Sequence, residues 1–195
     1  MRDLGTLGGS FGEAKWINNL GEVAGWAEIA DGNQHAFFWK NGVMKDLGTV
    51  EGDTCSVEKV INKKGQVVGN SGSGSCDEVH GFLWQEGGPI IDLNTFVPVG
   101  SDLQITDAEF INDRGEITAT GMPPNSEFHS IVLIPCDEAQ PDDGCREAGE
   151  RDNSTGGDIR SVQQQFRRAR HQLGVHDLKK FVRSSGWSRV WGNTQ

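Results

Sequence analysis

One pattern recurs three times along this chain: Ile-Asn, two further residues, then Gly, at Ile17–Gly21, Ile61–Gly65 and Ile111–Gly115. The spacing is 44 and then 50 residues. A period of this size marks one supersecondary unit used repeatedly, each copy relying on its neighbours to bury its faces. Other residues keep the same register. A histidine follows each asparagine, at His35, His80 and His129, and an Asp-Leu pair recurs at Asp3/Leu4, Asp46/Leu47 and Asp92/Leu93.

Each copy reads as four short antiparallel strands. Asn18-Asn19-Leu20-Gly21, Asn62-Lys63-Lys64-Gly65 and Asn112-Asp113-Arg114-Gly115 start a type I turn on Asn and put Gly where φ must turn positive. The expectation is a three-residue hairpin closed by a glycine bulge. The strand that follows carries small residues on one face, Val23, Gly25 and Ala27, then Val67, Gly69 and Ser71, which predicts a closely approaching neighbour. The next strand places Phe37 and Trp39, Phe82 and Trp84, then Ile131 and Leu133 at period two. Such side chains stabilise a buried sheet face by about 1.5–3 kcal/mol each. Asn41-Gly42 predicts a type I′ turn into a fourth strand.

A four-strand meander of about 40–50 residues has the size of a β-propeller blade. The expected fold is all-β: a partial propeller-like array of about three four-stranded antiparallel blades over residues 1–135. A disulfide loop and linker follow at 136–157, then a basic tail at 158–195. In that tail Ile159, Val162, Phe166, Ala169 and Leu173 recur at helical spacing, with Asp158 as N-cap and Gly174 at C′, so it reads as amphipathic, partly helical or disordered. Three blades do not close a ring. The leading "DLGTLGG" looks like the last strand of a further unit, so the chain is expected either to continue a longer array or to self-associate.

Composition agrees. Glycine is 27 of 195 residues, nearly twice the roughly 7% of average proteins, as many tight turns require. The net charge of −10 is uneven: residues 151–195 hold nine basic and three acidic residues, leaving nine basic against 25 acidic before them. An acidic body lacks the clustered cations that nucleic acid demands, so no nucleic-acid partner is expected. No apolar run approaches the ~20 residues of a membrane span, and the first residues contain no export signal.

With "DLGTLGG", "INNLGEVAGWA" and "HAFFW" read together, the sequence resembles the HAF-repeat family of probable extracellular repeat proteins, over about residues 3–136. "IDLNTFVPVGSDLQI" and "HSIVLIPCDE" look like the final units of a member. The last copy departs from the pattern, with His129-Ser130-Ile131 for His-Ala-Phe and Ala119 for Gly25 and Gly69. The resemblance implies an extracellular or cell-surface location and a repeat scaffold, and brings no catalytic residues with it.

Cysteines fall in two local pairs, Cys55 with Cys76 and Cys136 with Cys145. Four cysteines allow three connectivities; local disulfides in an oxidising compartment fit better than a metal site, since neither pair has CxxC spacing. His35, His80 and His129 could converge on a metal, or pair with Asp3, Asp46 and Asp92 as acid/base dyads. Residues repeated in every unit are better read as architecture. Asn18, Gly21, His35, Asp46, Asn62, Gly65, His80, Asp92, Asn112, Gly115 and His129 are therefore taken as the structural signature, with no catalytic, metal or cofactor site. The functional expectation is a non-catalytic module that binds an unknown protein or carbohydrate, or serves as scaffold. The alternative is a propeller-type enzyme acting on a glycan through acidic loop residues.

Overall fold

The computed structural model describes residues 1–135 apart from 75, 77, 78, 99, 125 and 126, together with the backbone of a strand at 187–191. Three antiparallel sheets account for the described residues, and no α-helix occurs among them. The first sheet runs β1 (Gly8–Ile17), β2 (Val23–Ile29), β3 (Gln34–Lys40), β4 (Val43–Asp46) in that spatial order. The second repeats it with β5 (Cys55–Ile61), β6 (Val67–Gly72), β7 (Val79–Trp84) and β8 (Ile91–Asp92), after which Leu93–Phe96 form one 3₁₀ turn. The third has β9 (Gln104–Ile111), β10 (Ile117–Met122) and β11 (His129–Pro135). Its outer edge is taken by β12 (Trp187–Trp191). Part of the tail expected to be helical or disordered is thus a strand, in the place that β4 and β8 hold in their sheets; residues 136–186 lie outside the described residues, as does the expected Cys136–Cys145 pair.

Turn chemistry follows the expected rules. Gly21, Gly65 and Gly115 have φ of 76°, 72° and 96°, and each donates its N–H to the carbonyl of the asparagine three residues earlier at 3.0–3.1 Å. Asn41 and Gly42 both have positive φ, 51° and 91°, as a type I′ turn requires. The Asp-Leu motif is an Asx turn: Asp3 and Asp46 Oδ1 accept from the N–H of Gly5 and Gly48, and Asp92 Oδ1 from that of Asn94.

Paired residues on adjacent antiparallel strands share a face, so the register assigns the two faces of each sheet. In the first sheet Ile17, Val23, Gly25, Phe37 and Trp39 lie on one face, here termed upstream. Trp16, Ala24, Ala36 and Phe38 lie on the other, downstream face. The downstream face of the first sheet packs on the upstream face of the second, joining Ala24, Ala36 and Phe38 to Ile61, Val67, Phe82 and Trp84. Leu47 and Val50, in the connection between the two sheets, complete this core. Burial of Phe82 and Trp84, both 0% exposed, stabilises it by about 1.5–3 kcal/mol per side chain. The upstream face of the first sheet is covered instead by Leu4 and Leu7. The small residues of the second strands do meet close neighbours. A Cβ on Gly25 would collide with Glu13 O and stand 2.6 Å from the Phe37 ring, and one on Gly69 would collide with Val57 O and stand 3.0 Å from the Phe82 ring.

Candidate functional site

The three signature asparagines form a ladder across the sheets. Each Oδ1 accepts backbone N–H groups of its own turn, from Leu20 and Glu22, from Lys64 and Gln66, and from Arg114, Gly115 and Glu116. Each Nδ2 donates to the side chain four residues on, Glu22, Gln66 or Glu116. The same Nδ2 reaches into the following unit: Asn18 donates to Asn62 O at 3.0 Å, and Asn62 to Asn112 O at 3.0 Å. Only an amide side chain can accept with one atom and donate twice with the other, which is why asparagine holds this place. The Glu or Gln after the turn glycine was legible in the repeat, but its role as acceptor was not foreseen.

Charged groups reinforce the stack. Lys63 N–H donates to Asp113 Oδ1 at 3.1 Å, and this bond, with the Lys63 ammonium 3.2 Å from Oδ2, holds the Asp113 carboxyl below its ordinary pKa. Lys40 Nζ lies 2.8 Å from Glu86 and 3.0 Å from the buried Glu22, and hydrogen bonds to these two raise its pKa. Between the second and third units Asn94 closes a two-way bond with Ile105, and Asn70 bonds Asp107 and Ala108 N–H.

The histidines do not converge. Among the described residues no group of three or more His, Cys, Asp or Glu is placed to hold a metal. His35 Nδ1 lies 2.9 Å from Asp46, joining β3 to the end of β4. His80 Nδ1 pairs at 2.9 Å with Asp53, not with Asp92 as the repeat register suggested. Asp92 is instead occupied in capping the 3₁₀ turn and holding Asn94, and Asp3 in its own turn. His129 is half-exposed, its Nε2 3.9 Å from Glu127. His35 thus ties β3 to the end of β4, whereas His80 ties β7 back to the connection that precedes β5.

One group breaks the repeat. Glu58 stands where the other units have Ala14 and Ala108, paired across β5 and β6 with Gly69. It is 2% exposed, and neither carboxylate oxygen has a hydrogen-bond partner. Desolvation raises its pKa to about 7. Its sequence signal was the single acid in an Ala-Glu-Ala column, and sequence reasoning passed over it. A shallow pocket of about 190 Å³ opens on the upstream face of the first sheet, lined by Arg2, Leu4, Gly12, Phe37 and Met44 among others.

Cys55 and Cys76 are joined by a disulfide with Cα atoms 5.6 Å apart, as expected for the local pair. A disulfide with a buried partner, Cys55 at 1% exposure, fits an oxidising compartment. Among the described residues no helix is long and apolar enough to cross a membrane. Comparison with known proteins finds no matching family model, curated relative or solved structure.

Proposed function

We propose that this chain is a non-catalytic β repeat module of the HAF-repeat type, extracellular or on a cell surface. Its sheets stand as blades of a propeller-like arc and offer a rigid scaffold to a protein or carbohydrate partner. The observation that carries this reading is the asparagine ladder, in which the most regularly repeated polar residues serve unit-to-unit stacking. Contact of β1 with β5, and of β5 with β9, supports the arc, since first strands neighbour one another in a propeller. Two loop carboxylates are engaged locally: Asp31 accepts from Asn33 N–H, and Asp53 holds His80.

The test is incubation with a panel of soluble polysaccharides, followed both by affinity electrophoresis and by measurement of released reducing ends. The scaffold reading expects no reducing ends from any polysaccharide, whether or not one retards the protein. Reproducible release by the protein, absent from a mock preparation purified in the same way, would overturn it in favour of a glycan-cleaving enzyme.

A further inference from the structure

The contact between successive units leaves two unmatched ends. Ile61 and Ile111, on upstream faces, are 7% and 1% exposed because the preceding sheet covers them; Ile17, in the same register, is 69% exposed. On the downstream faces Phe38 and Leu83 are 4% and 0% exposed, whereas Val132 in the same register is 43% exposed. Ile134 on that face is 46% exposed.

The ladder is open at the same two ends. Asn62 O and Asn112 O each accept an Nδ2 from the unit before, while among the described residues Asn18 O accepts only the N–H of Gly21. Among the described residues Asn112 Nδ2 donates only to Glu116. Asp113 Oδ1 receives the Lys63 N–H of the preceding unit, and Asn19, in the register of Asp113, offers an amide oxygen with no partner among the described residues. The pocket beside Phe37 and Met44 lies on this same upstream face.

We propose that these ends are two halves of one interface, and that a second copy of this chain docks head to tail. The third sheet of one copy covers Ile17 of the other, with Asn112 Nδ2 donating to Asn18 O. The contact continues the interface already built twice within the chain, and the inference rests on reading the three sheets as units of one array. A head-to-tail contact closes or propagates. Two copies bring together six sheets, within the roughly four to eight of closed propellers.

Sedimentation velocity of the full chain across a concentration series tests this. The expected result is a species of twice 21.2 kDa. Ile17→Asp and Val132→Lys alter side chains that are already exposed, and unchanged far-UV circular dichroism confirms that each variant folds. Each alone sediments as a single copy where the native chain pairs. An equimolar mixture regains a two-copy species, because a mixed pair keeps one intact contact. A native chain that stays at 21.2 kDa at every concentration overturns the proposal. So does a Val132→Lys variant that pairs as well as the native chain, since the upstream end would then be meeting itself. Either outcome leaves the scaffold reading standing, which the reducing-end assay judges separately.

Discussion

At the residue scale the chain contrasts two ways of burying a polar group. Asn62 is 4% exposed and every polar atom of its side chain is bonded, so its burial costs little and fixes three backbone groups. Glu58 is as deeply buried, its carboxylate oxygens have no partner among the described residues, and its burial sets a pH dependence. The folded protein keeps the Glu58 proton up to about pH 7, whereas an unfolded chain releases it near 4.5. Between those values the folded state binds more protons, so this group's contribution falls as pH rises from about 4.5 to about 7 and is level above. The total loss is on the order of 3 kcal/mol. Glu58→Gln removes the titration. Urea unfolding at pH 4.5 and pH 8 is expected to show a larger stability gain for the variant at pH 8, by about that amount. An equal effect at both pH values would mean that the carboxylate is solvated or paired.

At the element scale, the pairing of Gly69 with Phe82 explains a departure noted in the sequence. A Cβ on Gly69 would meet the Val57 carbonyl and, at 3.0 Å, the Phe82 ring, as one on Gly25 would meet the Glu13 carbonyl and the Phe37 ring. In the third sheet Ala119 faces Ile131, so no ring competes for the space. Gly69→Ala is therefore expected to destabilise the protein by about 1–3 kcal/mol through overpacking, with partial recovery in Gly69→Ala/Phe82→Ile. Thermal unfolding of the single and double variants decides it, and a silent single variant would contradict the packing.

The turns, the strand order of the first two sheets and the apolar faces were legible because local rules set them: asparagine and glycine at fixed offsets, and alternation at period two. Two features were not. The fourth strand of the third sheet comes from Trp187–Trp191, far along the chain and without an Asp-Leu motif to mark it. His80 takes Asp53, in the connection before β5, and Asp92 caps the 3₁₀ turn, a choice of partners that spacing alone cannot reveal. Glu58 was visible as an irregular column. That its oxygens lack partners depends on the sheets around it.

At the scale of the whole molecule, the three sheets form one array because each unit supplies half of the next interface: an apolar face, an asparagine donor and a carbonyl acceptor. The ladder predicts that disturbing its middle rung is felt on both sides. Asn62→Ala removes the donor to Asn112 O and frees the turn that presents Asn62 O to Asn18. Hydrogen–deuterium exchange of the native chain and this variant, read over peptides covering residues 17–22, 61–66 and 111–116, tests the central claim most directly. The array predicts faster exchange in all three turns, whereas a change confined to residues 61–66 would show that the units stand independently and that the ladder does not join them.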